Sequence, residues 1–488
     1  MYGQTGHKMK KHKAYQPILI DWLLILLFGL PLFSFTVFDK SQSAAPAHSG
    51  NILVLDLETT INLALNSDKL FDAQSGIRTT ELIKEVSLSE FNLNIIPKGE
   101  TGYIGGGSAG SGLTIGGGVN FEKKLPLGTQ ITVTPSLLKA AKKFHSDFQI
   151  RLSQPILRGF GREYNLSGIK RAEFSHRAAY RAFYKSMSFT MLRSIELLYE
   201  VAKHEELVKL NRESYHRLDR FCKATKIKER IGLSNALDVY RAEIELKQAE
   251  DTLSQSEEIL QEAKDSLRDI LGLSQDTKFI VKVSLETSGE VWHLGEAIET
   301  ALQQRIEMDQ ALDQINESRR LANLSKNDLL PELNIVLDYS NLGYGEQFTG
   351  SFGRKRESRW GIGFTTSTDI HRVREKSSYE SSLVGVETAN KVYLDIKKSI
   401  FLEVKRTLRI LYRAREKIAL QRHQIKNSEG GLRLAQAKFL REFATHFDVI
   451  QAEKAFHFAH MALICALIDH KVGEYRLRAA MGLLLEKI

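Results

Sequence analysis

The sequence predicts a mainly α-helical fold that contains two zones of β-strand and is arranged as two internal repeats. The first observation is the distribution of proline, because residues 156–330 and 332–488 contain none of the eight prolines. An interior proline breaks a helix, so these stretches permit very long helices. We therefore predict helical regions at about 165–272 and 374–485.

Strand patterns, the second observation, occupy two zones at about 91–160 and 331–372. Apolar side chains alternate there with polar or small ones, as at Phe148, Ile150 and Leu152 and at Trp360, Ile362 and Phe364. This period of two gives each strand one apolar and one polar face. Strands of a membrane barrel need such faces. A half-buried sheet in a soluble protein has them too, so the pattern alone leaves both open.

Self-similarity of the chain is the third observation. The segment Gly232–Val239, followed by Ala242 and Glu243, matches Glu442–Val449, followed by Ala452 and Glu453, and the correspondence continues without a gap. It defines a first repeat at about 56–276 and a second at about 292–485. Each repeat is expected to run helix, strands, long helix, tight turn and shorter helix.

The shorter helix of each repeat carries a heptad pattern. Apolar residues recur every seven positions, with small residues such as Ala242 and Ala249 in one copy and Ala459 and Ala466 in the other. A 3.5-residue period indicates a coiled coil, and small core residues let antiparallel helices approach closely. Ala249 and Ala459 are accordingly expected in tight helix contacts.

The N-terminal segment 1–47 has the order of a secretory signal peptide. Four lysines precede the apolar run Leu23–Phe38, and Ala45-Pro46-Ala47 follows it. A membrane anchor is the alternative, but the run is shorter than the roughly 20 residues that a spanning helix needs. Residues 48–488 are therefore expected to be exported, and no later apolar run is long enough for a helical span.

The sequence offers no catalytic, cofactor-binding or metal-binding site, so an enzyme is not expected. Residues 105–110 satisfy the GxGxxG pattern of dinucleotide binding, yet strand rather than helix is predicted after them. Cys222 and Cys465 belong to no CxxC or Cys/His cluster. A formal charge of +9, spread over the whole chain, is weak support for nucleic acid as a partner.

Several motifs in order resemble those of the TolC family of outer-membrane efflux proteins, also called outer-membrane factors. The segment Ser153–Gly161 is similar to the family's junction from strand to long helix, and Leu329–Pro331 to its junction from helix to strand. Ile231–Ser234 with Leu237–Val239 resembles the tip of its helical hairpin, and Ala480–Gly482 its ending. The resemblance covers residues 56–485 almost completely.

The resemblance implies a homotrimeric β-barrel in outer-membrane lipid, continued by a long antiparallel coiled-coil α-barrel in the periplasm. Each chain would contribute four strands to the barrel. A periplasmic adaptor, or membrane fusion protein, would dock on the hairpin tips, and an inner-membrane transporter would supply the energy. The expected function is the exit duct of a tripartite efflux pump or type I secretion system, a passive conduit for drugs, small molecules or polypeptides.

The tips and a gate are the predicted functional residues. Adaptor contacts are expected at Ile231, Gly232, Leu233 and Ser234 in the first tip and at Phe443, Ala444 and Thr445 in the second. Asp238 and Asp448 are predicted gate residues, since a trimer would gather six lumen-facing carboxylates at the narrow end of the tunnel. Each aspartate could instead serve only a helix-capping box with Asn235 or Thr445.

Three departures from the family pattern bear on these expectations. Glu442 stands where the family favours glycine, and residues 365–371 lack the proline usual at the second junction from strand to helix. Residues 91–155 contain more extended segments than two strands require, which leaves their strand count open. The alternative function is a secreted or periplasmic coiled-coil scaffold without channel activity. A scaffold would show heptads, but it would have no reason to place a strand zone at the same position in both repeats.

Overall fold

The computed structural model describes residues 52–104, 112–140, 143–285, 291–353 and 356–485. The predicted signal peptide and the GxGxxG segment lie outside these residues. The first half of the chain runs through β1 (Leu53–Leu55), α1 (Leu57–Leu65), α2 (Phe71–Ser89), β2 (Leu93–Ile104), β3 (Gly112–Lys124), β4 (Gln130–Ala140), β5 (Lys143–Pro155), α3 (Arg162–Asn165), α4 (Ser167–Arg230) and α5 (Ala236–Leu271). A 3-10 turn, Asp68–Leu70, joins α1 to α2.

The second half runs through β6 (Phe279–Val281), α6 (Leu294–Gln304), α7 (Ile306–Asp328), β7 (Asn334–Gly345), α8 (Phe348–Ser351), β8 (Arg356–Thr365), α9 (Val373–Leu440) and α10 (His446–Ala480). Short strands β1 and β6 pair in parallel and tie the two halves together. Each half thus places a pair of shorter helices before its strands and a long helical hairpin after them.

The helical hairpins α4–α5 and α9–α10 are the longest elements of the described structure. At 1.5 Å per residue, α4 and α9 measure roughly 96 and 102 Å. Their apolar cores lie where the shorter helices join them: Ala297, Met308, Ile400, Val404 and Leu477 form one cluster, and Leu55, Ala64, Leu198, Val201 and Leu267 another. None of the helices in the described part of the chain combines the length and apolarity needed to cross a membrane.

The heptad prediction holds for one of its two alanines. Ala459 is 1% exposed, as a tight helix contact requires. Ala249 is only half-buried and lines a cavity of about 520 Å³ between α4, α5 and α10. At Ala249 the chain therefore shows this cavity, which Glu245 and His457 also line, where a tight helix contact was expected.

The strands form a six-stranded antiparallel sheet in the order β2-β3-β4-β5-β7-β8. The family resemblance implied four strands, which correspond to β4, β5, β7 and β8. The additional hairpin β2–β3 arises because residues 93–124 continue the alternating pattern. The hairpin pairs with β4 from Thr114–Ala140 to Lys124–Gln130. The sheet therefore has six strands where the resemblance implied four, and the strand count of residues 91–155, which the sequence left open, is four.

One face of this sheet carries a row of apolar side chains that crosses all six strands. The paired residues Ile95, Phe121, Val133, Ile150, Tyr339 and Trp360 form one continuous row. The adjacent row on the opposite face consists of Asn94, Glu122, Thr132, Arg151, Asp338 and Gly361. Arg151 and Asp338 form a cross-strand ion pair at 2.6 Å. The sheet therefore has one face suited to lipid and one suited to water.

Both crossings between sheet and helices lie at the same end of the sheet. The Gly159 amide donates to Asn327 Oδ1 at 2.9 Å, and the Tyr164 hydroxyl donates to Asp328 Oδ1 at 2.9 Å. These bonds join the β5–α4 crossing to the end of α7. The helical hairpins therefore extend from one end of the strands, and their tips lie far from the sheet.

Candidate functional site

The two hairpin tips turn through the same backbone geometry. Gly232 and Glu442 each occupy the left-handed region, with φ of 77° and 67°. The amides of Leu233 and Phe443 donate back to the carbonyls of Lys228 and Lys438 at 2.8 and 2.9 Å. A helix ending of this kind favours glycine. For a residue with a Cβ, the left-handed conformation costs about 1 kcal/mol or more. Glu442 therefore holds its tip in a strained conformation that the first tip avoids.

Asp238 and Asp448 follow these turns but make different contacts. At the second tip the Thr445 amide donates to Asp448 Oδ2 at 2.7 Å, and the Asp448 amide donates to Thr445 Oγ1 at 3.3 Å, which is a complete capping box. At the first tip Asn235 caps the Asp238 amide at 2.9 Å, while the Asp238 carboxylate accepts from Ser234 at 3.4 Å. Asp448 is exposed and Asp238 is half-buried.

The structure brings the two tips together. Lys228 Nζ donates to the Phe439 carbonyl at 2.8 Å and lies 4.2 Å from the centre of that ring. Asp238, Ala444 and Thr445 line one cavity of about 380 Å³ between the tips. Ile231 and Gly232 stand at the outer end of the first turn, where both are exposed.

A buried histidine at the second tip was not singled out from the sequence. His446 Nε2 lies 3.1 Å from Thr225 Oγ1, and its ring lies 4.4 Å from Phe221 and 5.4 Å from Phe439. Lys228 was missed as well. The one available signal was that both lie in or beside the repeated tip motif, but their partners come from the other half of the chain.

Large apolar side chains are exposed at the tips. Phe443 is 79% and Ile231 is 63% exposed. Others in this group are Leu233, Leu237, Tyr240, Ile244 and Phe447. Contiguous exposed apolar surface of this kind is typical of a protein-binding site. The predicted adaptor-contact residues Ile231, Leu233 and Phe443 therefore lie on a surface that suits a protein partner.

Burial lowers the pKa of His446 below its ordinary value of 6.5. The charge of Asp238 opposes this shift, and Arg241 and Lys228 add to it. At Asp448, the hydrogen bond from the Thr445 side chain and then that from its amide hold the pKa below the usual range. Asp448 therefore remains a carboxylate at neutral pH.

We expect the tips to lose stability as the pH falls through about 6.5, the ordinary pKa of histidine. The unfolded tip binds a proton there that native His446 resists, so acid favours opening. Hydrogen exchange of the α4 and α10 ends at pH 7.5 and 5.5, with each rate divided by the intrinsic rate at that pH, should show lower protection factors at the lower pH. In His446→Gln this loss of protection should shrink; an unchanged loss would exclude His446 as its source.

Comparison of the sequence and of the fold with known proteins points to one class of protein. Residues 297–483 match the model of the family described as outer membrane efflux protein. No curated protein sequence matches significantly. The fold is similar to that of the outer membrane channel CmeC of Campylobacter jejuni, with a TM-score of 0.68 at 12% identity, covering 88% of this chain and 86% of that chain.

Two further solved structures share this fold. The outer membrane protein VceC of Vibrio cholerae superposes with a TM-score of 0.69 at 13% identity, covering 87% of this chain and 96% of that chain. The outer membrane channel MtrE of Neisseria gonorrhoeae, in its open state, superposes with a TM-score of 0.65 at 14% identity, covering 88% of this chain and 90% of that chain. The chain thus has an outer-membrane channel fold. Its second half carries the sequence pattern of outer membrane efflux proteins, which confirms the resemblance predicted from the motifs.

Proposed function

We propose that this protein is the outer-membrane exit duct of a tripartite efflux pump. A single observation carries the proposal: a two-faced sheet suited to lipid continues directly into helical hairpins about 100 Å long. On the face that carries the apolar row, the stretch of β2 from Leu93 to Tyr103 spans ~26 Å along the membrane normal at a strand tilt of ~40°, close to the height of the apolar band of outer-membrane barrels. The similarity to outer membrane channels supports the same function.

Three copies form the duct in this proposal, with the sheet in outer-membrane lipid and the hairpins in the periplasm. It conducts passively and catalyses nothing, while an inner-membrane transporter supplies the energy through a periplasmic adaptor. Fractionation of native envelopes tests this. A heat-modifiable trimer in the outer membrane is expected, whereas a soluble periplasmic monomer would favour the coiled-coil scaffold instead.

The adaptor contact is proposed at the exposed apolar surface of the tips, formed by Ile231 to Ser234 and Phe443 to Thr445. A photo-crosslinking residue at Leu233, which is 54% exposed, should capture the adaptor in intact cells. The matched control is Phe189, which is 70% exposed but lies in the first half of α4, away from the tip. Capture from Phe189 and not from Leu233 would reject the tip as the contact.

The gate is proposed at Asp238 and Asp448, which would form a ring of six carboxylates in the trimer and attract cations. The capping contacts of Asp448 leave room for this second role, because one of its oxygens accepts both bonds from Thr445. A multivalent cation added from the tip side should block wild-type conductance in a planar bilayer. Asp238→Asn with Asp448→Asn should weaken the block at least tenfold; equal block of both proteins would leave only the capping role.

A further inference from the structure

The hairpin β2–β3 is an integral part of the sheet. Its strands carry the same two faces as the other four, with Leu93, Ile95 and Tyr103 on the apolar side of β2. Asn94, Lys98 and Glu100 lie on the polar side. Thr134 Oγ1 on β4 donates to Asn120 Oδ1 on β3 at 3.1 Å across the polar face. The hairpin is therefore built to meet lipid on one side and water on the other, like its neighbours.

The position of β3 decides which strand edges remain unpaired. Because β3 occupies the outer edge of β4, no strand of another copy can pair there. The free edges are β2 and β8, of 12 and 10 residues. Both are long and carry exposed apolar side chains, including Tyr103 at 73% and Trp360 at 78%. Such edges are templates for pairing with another chain, and lipid tolerates no unpaired edge.

The two edges fit each other. The sheet is antiparallel throughout, and β2 leaves the helical end while β8 returns to it, so β8 of one copy meets β2 of the next in antiparallel orientation. Each edge offers one cation and one anion on its polar face, Lys98 with Glu100 and Arg359 with Glu357. Pro97 removes at most one donor from the new ladder, and proline is tolerated near such edges.

We propose that β2 of one copy pairs with β8 of the next, so that three copies close a barrel of eighteen strands. This inference rests on the trimeric duct proposed above. It assigns the N-terminal hairpin as a subunit-joining element, and the partner is a second copy of this chain. The order of the six strands requires the pairing of β2 with β8, because a twelve-stranded barrel would have to displace β3 from β4.

The predicted barrel is wide. With strands ~4.8 Å apart and tilted by ~40°, eighteen strands give a backbone diameter of about 36 Å, against about 24 Å for twelve. Its inner face carries glycines at Gly116, Gly118, Gly361 and Gly363 beside short polar side chains. Barrels of this strand number enclose an aqueous channel. The barrel would therefore not be the narrowest part of the duct.

Disulfide crosslinking within the assembled protein tests the strand pairing. Cysteine is placed at Asn94 or Glu100 on β2 and combined in turn with cysteine at Glu357, Arg359, Gly361 or Gly363 on β8. Two β2 positions and four β8 positions cover the stagger between copies, and all of them share the polar face. Cys222 and Cys465 are replaced by serine in every variant. We expect at least one combination to give covalent dimers and trimers that a reductant separates, with each variant that carries only one of the two introduced cysteines giving none.

In the competing arrangement, a barrel of twelve strands, β4 of one copy would pair with β8 of the next. A separate set of cysteine pairs tests it. Cysteine at Thr132 on β4, paired with the same four positions on β8, should give no crosslink. Crosslinking from Thr132 in place of β2 would overturn the eighteen-stranded barrel while leaving a trimeric duct intact. A native trimer that crosslinks from neither strand would overturn the pairing as well. A monomer outside the outer membrane would overturn the proposed function itself.

Discussion

Replacing Glu453 with alanine is expected to destabilise the helical part of the protein by about 3 kcal/mol. Glu453 on α10 is buried, and its side chain is 6% exposed. It accepts hydrogen bonds from Ser214 at 3.0 Å and from Arg217 Nε at 2.9 and 3.1 Å, both on α4. Without Glu453, the largely buried guanidinium would lose its buried partner, and such a loss is far more costly than losing an exposed pair.

Two variants separate this cause from a general effect of mutation. Glu429→Ala removes a surface ion pair to Arg433 on α9, and it should cost under about 0.5 kcal/mol. The double change Arg217→Met with Glu453→Leu should recover most of the loss, since apolar residues can replace a buried pair. Denaturant unfolding followed by far-UV circular dichroism measures all three. If Glu453→Ala and Glu429→Ala lowered the free energy of unfolding equally, the buried pair would not have the stabilising role expected of it.

Replacing Ile150 with arginine is expected to reduce assembly in the outer membrane severely. Ile150 lies near the middle of β5, in the apolar row that crosses all six strands. An arginine facing lipid near the midplane of a barrel costs roughly 2 to 4 kcal/mol. The amount of trimer in outer-membrane fractions should therefore fall well below that of the wild type.

The adjacent residue supplies the matched control. Gln149 lies next to Ile150 on the same strand and points to the opposite, polar face. Gln149→Arg should assemble normally, because that face meets water. If both variants assembled equally, or if Gln149→Arg were the damaging one, the apolar face would not be the lipid-facing one.

Most of the fold could be predicted from local patterns in the sequence. Long helices follow from the proline-free stretches, and the faces of β5, β7 and β8 follow from alternation at residues such as Ile150 and Trp360. The strand number did not follow from the motifs, because the motifs that match the family near the strands lie only at the helix junctions. Pairing of β3 with β4 is a non-local contact, and periodicity cannot show it.

The functional residues were predictable to a lesser extent. Asp238 and Asp448 occupy equivalent places in the sequence, yet only Thr445 completes a capping box, because the Asp448 carboxylate returns to the cap amide. The contacts of Lys228 with Phe439 and of Thr225 with His446 join residues from different halves of the chain. Neither contact has a local signature, so only the three-dimensional structure could reveal them.

Conductance of the purified trimer in a planar lipid bilayer tests the proposed duct most directly. The proposed duct predicts discrete current steps of uniform size from wild-type protein, because in the trimer a barrel with a polar inner face would continue into a helical tunnel. The same steps should appear with Gln149→Arg. A correctly assembled outer-membrane trimer that never conducts, with or without its adaptor, would contradict an exit duct.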